Sequence, residues 1–110
     1  MCIRDSSTTG VLKNALDHLY AEWNNKAAAF VGYGGVGGAR AVEHLRAIAS
    51  ELQMATARGQ VSLSTMTDFE NHTVLKPSPV QQMFLEKMLD QLVAWSGALA
   101  PLRVSSEVRP

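Results

Sequence analysis

Residues 32–38 are the segment of this 110-residue chain best suited to chemistry, because they spell Gly-Tyr-Gly-Gly-Val-Gly-Gly and five of the seven are glycine. Each glycine costs conformational entropy on folding, and a simple connection between a strand and a helix needs only one. Glycines let the backbone approach a flat or anionic group, and a following helix adds free N–H donors and a partial positive charge. We therefore predict that the glycine turn (residues 34–38) faces a ligand.

Apolar patterns on both sides of the glycine turn define the elements that must position it. Residues 11–23 carry apolar side chains at helical spacing, and residues 41–52 repeat that pattern. Between them, residues 27–31 form a short apolar run that leads directly into the glycines, which favours a strand buried on both faces. We expect no regular structure over residues 32–38.

The second half of the chain predicts one more strand and one more helix. Gly59 marks a boundary, residues 60–64 have the pattern of a short strand, and residues 65–77 form a polar loop. Ser78 followed by Pro79 is a strong helix start, and Gly97 and Pro101 are expected to end that helix. Residues 104–110 are expected to be a disordered tail.

Strands that alternate with long helices predict an α/β fold with a parallel sheet. Two strands make a poor sheet, however, and three amphipathic helices need a wider one to cover. The pattern therefore predicts a chain that is incomplete at its N-terminus.

Composition limits the classes of function. The chain is 46% apolar, which is enough for one small domain, and its 10 Lys plus Arg balance its 10 Asp plus Glu, so no strong field points to nucleic acid or to a membrane surface. Cys2 is the only cysteine, and the three histidines are too far apart for a local metal motif. We expect no metal site, no catalytic residue constellation, and a cytoplasmic location.

The letters of the glycine run also fit a dinucleotide-binding motif. Gly32, Gly34 and Gly37 satisfy G-x-G-x-x-G, which also requires an acidic residue about 20 positions later, at the end of the next strand. Glu51 has that spacing but falls within a helix, and Asp68 lies beyond the strand. We regard a Rossmann-type fragment as an alternative of lower weight.

Two motifs in sequence order resemble the NADPH-dependent FMN reductase family. Residues 10–17, Gly-Val-Leu-Lys-Asn-Ala-Leu-Asp, resemble the family's G-x-L-K-N-A-[LI]-D, and residues 33–41 resemble its [ST]-x-G-G-x-G-G-x-R-A turn. Residues 91–95 are similar to the family's final helix. The resemblance covers residues 7 to about 103.

This resemblance implies a flavodoxin-like fold, a three-layer structure with a five-stranded parallel sheet in the order 2-1-3-4-5. The chain would supply helix 3, strand 4, helix 4, strand 5 and helix 5, so the flavodoxin-like domain would be N-terminally truncated. Residues 1–6 would be a non-native leader, because Cys2, Ile3, Arg4 and Asp5 stand where the family has P-E-Y-N.

The resemblance further implies non-covalent FMN, NAD(P)H as hydride donor and a small-molecule electron acceptor such as a flavin, quinone or azo dye. It also implies a homodimer or homotetramer, and a fragment that is inactive alone. A flavodoxin-like binding module without redox activity is the second alternative. The cofactor-binding residues that the resemblance implies are Ser7, Gly10, Tyr33, Gly34, Gly35, Val36, Gly37 and Gly38.

Overall fold

The structure, a computed structural model, describes residues 8–108, and for residues 105–108 the backbone alone. Its elements are, in chain order, α1 (Gly10–Asp17), β1 (Ala27–Gly34), α2 (Ala39–Glu51), β2 (Ala55–Ser64), β3 (Phe69–Glu70), β4 (Val74–Leu75) and α3 (Pro79–Val108). The predicted alternation of helices and strands is confirmed. Ser7 and the proposed leader, residues 1–6, lie outside the described residues.

Strands β1 and β2 form a parallel pair in which Val31 lies opposite Val61 and Gly34 opposite Ser64. Helix α2 connects them, and both α2 and α3 pack against the pair. The buried apolar side chains come from α2, β2 and α3, and they are Val42, Ala49, Leu52, Ala57, Val61 and Met88. The result is an α/β unit with a parallel sheet, consistent with the flavodoxin-like fold.

A bulge makes β2 longer than its sequence predicts. Ala28 pairs with Thr56 and Phe30 with Gln60, so four steps along β2 match two steps along β1. Within this bulge Gly59 lies against α3, where a Cβ would stand 3.3 Å from the Cα of Met88. Gly59 was predicted to be a boundary, which is wrong: it is the residue that lets β2 bulge towards the helix.

Side chains from both neighbouring helices hold the bulge. The Arg46 guanidinium on α2 donates to the carbonyl of Ala57 at 2.8 Å, and its carbon lies 5.2 Å from the centre of the Phe30 ring. On α3, the Gln91 side-chain oxygen accepts from the N–H group of Arg58 at 3.0 Å. The bulged backbone is thus bonded by partners 11 and 33 residues away in sequence.

Helix α1 ends earlier than the apolar stripe of residues 11–23 predicts, at Asp17. Residues that follow the helix donate hydrogen bonds to its last turn. The Leu16 carbonyl accepts from the Leu19 N–H group at 3.4 Å and from the Trp23 indole N–H at 3.0 Å. Turns then lead to β1. None of the residues of α1 is buried.

Helix α3 runs on through Gly97 and Pro101, so the prediction that these residues end it is wrong, as is the disordered tail for residues 104–108. Proline removes one intrahelical hydrogen bond. Arg103 anchors the helix beyond it, donating to the carbonyls of Asn25 at 3.0 Å and Ser96 at 3.4 Å. Among the described residues, no helix is long and apolar enough to cross a membrane.

The predicted polar loop of residues 65–77 contains a small antiparallel hairpin, β3 with β4. Phe69 lies opposite Leu75 and Glu70 opposite Val74, and Lys76 forms an ion pair with Glu70. Strands of two residues are too short to give a periodic signal in the sequence.

Candidate functional site

The glycine turn lies where the parallel strand β1 passes into α2. Gly32 and Tyr33 still belong to β1, which ends at Gly34, so the expectation of no regular structure over residues 32–38 is wrong for residues 32–34. Gly37 and Gly38 then adopt left-handed backbone conformations, with φ of 69° and 70°. Residues with a Cβ rarely adopt this backbone conformation, which explains why glycine occupies these two positions.

Close packing explains the glycine at position 32 and gives a second reason for the glycine at position 37. A Cβ on Gly32 would stand 2.8 Å from the carbonyl oxygen of Gly37, and a Cβ on Gly37 would stand 2.8 Å from the Cβ of Ser62 on β2. Gly37 is buried. These glycines allow the turn to fold tightly onto the ends of the two strands.

Gly35 differs from its neighbours because neither its conformation nor its packing requires glycine. Its φ is not positive, and a Cβ placed on it would meet nothing within 4 Å. It lines an open cleft instead. Glycine at this position therefore keeps the cleft above the turn open, whereas the fold beneath the turn does not require it.

The cleft has a volume of about 250 Å³ and is lined by Tyr33, Gly34, Gly35, Val36, Gly38, Arg40 and Ala41. Five of the predicted cofactor-binding residues line it: Tyr33, Gly34, Gly35, Val36 and Gly38. Gly37 belongs to the turn but is buried and does not line the cleft. Gly10 is exposed and does not line it either, and Ser7 is outside the described residues. The site prediction missed Arg40 and Ala41, although they form the R-A end of the motif itself.

Several residues that line this cleft have backbone N–H groups without an acceptor. Within the described part of the chain, no acceptor pairs with the N–H groups of Gly35, Val36 and Gly38, nor with the first-turn N–H groups of Arg40 and Ala41. The positive end of the α2 dipole adds to these donors. The residues that line the cleft can therefore donate hydrogen bonds to the acceptor atoms of a ligand.

Arg40 is unusual for its place in α2. It occupies the first turn, where the helix dipole disfavours a cation by roughly 0.3–1 kcal/mol, and no carboxylate of the described residues forms an ion pair with it. Its side chain is exposed beside the cleft. Because none of the residues that the structure describes pairs with this cation, it is available to an anionic ligand.

An aromatic pair stands at one end of the cleft. The Tyr33 ring is 70% exposed, and its centre lies 6.1 Å from that of Phe69 on the hairpin, with the ring planes inclined at 45°. The hairpin thus touches the site through Phe69, a contact that no motif in the sequence indicates.

Asp68, the acid considered for a dinucleotide ribose, is 2% exposed. Its carboxylate accepts hydrogen bonds from the N–H groups of Ser64 at 2.9 Å and Ser78 at 3.3 Å. Hydrogen bonding from Ser64 is the main reason that the pKa of Asp68 lies below its ordinary value; burial opposes it, and Ser78, Gln81 and Thr67 support it. Because protein donors occupy this carboxylate, it cannot hold a ribose.

No group of three or more His, Cys, Asp or Glu side chains that could hold a metal ion occurs in the stretch that the structure describes. A parallel strand, a glycine turn with unpaired N–H groups and a following helix define an α/β unit of the class whose ligands bind at the carboxyl end of the strands.

Comparison with known proteins assigns this unit to a family. The family model described as NADPH-dependent FMN reductase matches residues 3–68, and the chain belongs to this family. The match includes α1, β1, the glycine turn, α2 and β2 and ends at Asp68, so the similarity of residues 91–95 to the family's final helix stays a prediction.

Two curated relatives carry the same description. An NAD(P)H-dependent FMN reductase of Schizosaccharomyces pombe is 41% identical over 68 residues, which are 62% of this chain and 34% of the relative. The NAD(P)H-dependent FMN reductase LOT6 of Saccharomyces cerevisiae is 44% identical over 48 residues, 44% of this chain and 25% of the relative. The aligned part thus spans about a third or less of each relative. No solved structure matches the chain with comparable significance.

Proposed function

We propose that the glycine turn binds the isoalloxazine ring of FMN and that the protein is an FMN-dependent NAD(P)H oxidoreductase. The observation that carries this proposal is the cleft itself: Gly35 leaves its floor open, and the N–H groups of Gly35, Val36, Gly38, Arg40 and Ala41, unpaired among the described residues, are available to an acceptor. The names of the two relatives, both NAD(P)H-dependent FMN reductases, support the assignment.

The residues present fit the ring portion of FMN. A volume of about 250 Å³ is below the roughly 300–1,000 Å³ of pockets that enclose a whole drug-sized ligand. The N–H groups of the turn suit the carbonyl oxygens of the ring, and the missing side chain at Gly35 leaves room for its face. Arg40 is the one cation among the residues that line the cleft.

Bound FMN would supply the redox chemistry, that is, the transfer of electrons from NAD(P)H to a small-molecule acceptor such as a flavin, quinone or azo dye. The chain's own part is to orient the ring and to present donors at its electron-rich edge. Such chemistry needs no protein nucleophile, so we propose no catalytic residue.

We also propose that the 110 residues alone bind FMN weakly and are inactive as a reductase. The cleft has room for the ring of FMN. Apart from Arg40, however, the residues that line it offer few groups that could bind the phosphate. A homodimer or homotetramer in the cytoplasm remains our proposal for the complete enzyme, and size-exclusion chromatography with light scattering tests the assembly.

An amide-resolved NMR titration of the 110-residue chain tests the proposed ligand. We expect millimolar FMN to shift the N–H signals of residues 34–41 selectively, with little change in α3. NAD⁺ without flavin is the control for a dinucleotide-binding fragment, and we expect it to leave the turn unchanged. Equal shifts with NAD⁺, or no shift with FMN, would contradict the proposal.

Anaerobic reduction of the complete enzyme distinguishes a reductase from a binding module. In the complete enzyme we expect bound FMN to be bleached at its visible absorption band when NADPH or NADH is added without oxygen. Flavin that binds at the turn but stays oxidised would favour the module without redox activity.

A further inference from the structure

Asp68 is buried although no cation accompanies it. It is 2% exposed, and within the described residues no Lys, Arg or His forms an ion pair with its carboxylate. Uncharged donors surround it instead, from the end of β2, the following turn and the start of α3. A charge buried in this way has to be stabilised by hydrogen bonds. The donors of these bonds show which segments of the chain Asp68 holds in place.

The first contacts join the end of β2 to the start of α3. One carboxylate oxygen accepts from the Ser64 N–H group at 2.9 Å, and the other accepts from the Ser78 N–H group at 3.3 Å. Ser64 is the last residue of β2, and Ser78 directly precedes α3. Asp68 therefore fixes where the strand ends relative to the helix.

Gln81 on α3 extends this network along β2. Its side-chain N–H₂ group donates to the Asp68 carboxylate at 3.2 Å and to the Ser62 carbonyl at 2.9 Å. Its own side-chain oxygen is buried without a donor among the described residues. Reversing the amide would place that oxygen against two acceptors, so the Ser62 carbonyl and the Asp68 carboxylate together fix its orientation.

The part of β2 that Asp68 and Gln81 hold is the part on which the glycine turn rests. Gly37 lies directly above Ser62. The Gly34 carbonyl accepts from the Thr65 N–H group, one residue beyond β2, and from the Gly37 N–H group, both at 3.1 Å. The contacts thus continue from the carboxylate through residues 62–65 to the cleft floor.

We propose that Asp68 is a positioning residue for the glycine turn: by bonding Ser64, Ser78 and Gln81 it fixes residues 62–65, and these fix the backbone that forms the cleft. Asp68 touches no ligand itself. Its effect on FMN rests on the function proposed above, whereas its effect on the turn does not.

Hydrogen exchange of the full chain, measured amide by amide, tests this role. In Asp68→Asn, where an N–H₂ group replaces one acceptor, we expect the Thr65 and Gly37 amides to exchange about tenfold faster. The Leu52 amide, which bonds within α2, should keep its rate. Asp90→Asn, an exposed acid on α3, is the matched control and should change none of them.

A uniform increase in the exchange rates of all amides would show that Asp68 supports the fold as a whole. Unchanged exchange rates of the Thr65 and Gly37 amides would show that it does not support the turn. Either result overturns the proposal. If Asp68→Asn fails to fold, Gln81→Met removes the bridge to Ser62 while keeping the carboxylate, and it is expected to accelerate Gly37 exchange selectively. An unchanged Gly37 amide in this variant also overturns it.

FMN titration of the same variants separates this proposal from the proposed function. We expect Asp68→Asn to weaken FMN binding about tenfold. If no variant and no wild-type chain binds FMN, but the Thr65 and Gly37 amides still respond, the proposed function fails and the positioning role stands. Selective exchange with unchanged FMN affinity would instead contradict the link between turn and ligand.

Discussion

Gly37 rests on Ser62, so closely that a Cβ on the glycine would stand 2.8 Å from the Cβ of the serine. This contact joins the turn after β1 to the end of β2, the neighbouring strand. The glycine turn is therefore part of the packed sheet and not a free loop. Packing against the sheet therefore fixes the floor of the cleft without help from a ligand.

We predict that Gly37→Ala destabilises the chain by about 1–3 kcal/mol, because alanine is strained at positive φ and its methyl group meets Ser62. Gly97→Ala is the matched control: nothing lies within 4 Å of its Cβ, and alanine within a helix adds roughly 0.5–1 kcal/mol of stability. Urea denaturation measures both. Similar effects of the two substitutions would refute the packing argument.

Arg46 is expected to hold the β2 bulge. Replacing it with methionine removes the hydrogen bonds to the Ala57 carbonyl and to the Gln60 side-chain oxygen and should lower the free energy of unfolding by about 1.5–3 kcal/mol. Arg46→Lys keeps the charge but not the planar fork, and we expect it to recover less than half of that loss. Full recovery by lysine would mean that charge alone suffices.

Asp68 predicts a pH dependence of stability. Its pKa in the folded chain lies below the ordinary value of 3.8, mainly because of the Ser64 N–H group, so its contribution is complete above that value and is lost as pH falls through the lowered pKa. The nearest charged side chains on the hairpin, Glu70 and Lys76, pair with each other, and no acid lies in the first turn of α3.

Thermal unfolding of wild type and Asp68→Asn from neutral to acid pH measures this contribution. We expect the wild type to have the higher Tm at neutral pH and the difference to shrink as the solution is acidified. A difference that stays constant into strong acid would exclude the Asp68 carboxylate as its source.

Arg40 is expected to matter for the ligand and not for the fold. Arg40→Gln should weaken FMN binding about 3- to 10-fold, and more so at low ionic strength, since an exposed charge is screened by salt. The same change should leave stability equal or raise it by about 0.3–1 kcal/mol, because a cation leaves the first turn of α2. Arg58→Gln, on an exposed side chain away from the cleft, is the control and should not affect binding.

The sequence predicted those features whose cause is local. Apolar spacing predicted α2 to within two residues at its start and one at its end, and the Ser78-Pro79 pair predicted the start of α3. The glycine density predicted the turn between β1 and α2, and the motif around it indicated the family. Each of these depends on neighbours within about one helical turn or on a contiguous pattern.

What the sequence did not predict depends on contacts between distant residues. The β2 bulge is held by Arg46 and Gln91, the end of α1 is set by the Trp23 indole, and α3 continues past Pro101 with Arg103 bonded to Asn25. The different roles of Gly35 and Gly37 within one turn also required the position of Ser62. A one-dimensional pattern contains none of these distances.

Flavin binding by Gly35→Val tests the central claim most directly. A Cβ at Gly35 meets no protein atom within 4 Å, so the variant should keep the wild-type fold and urea midpoint while its side chain occupies the cleft. We predict that the FMN-induced shifts of residues 34–41 disappear, with Gly97→Val expected to retain them. Undiminished FMN binding by a folded Gly35→Val chain would show that the flavin does not lie on the glycine turn.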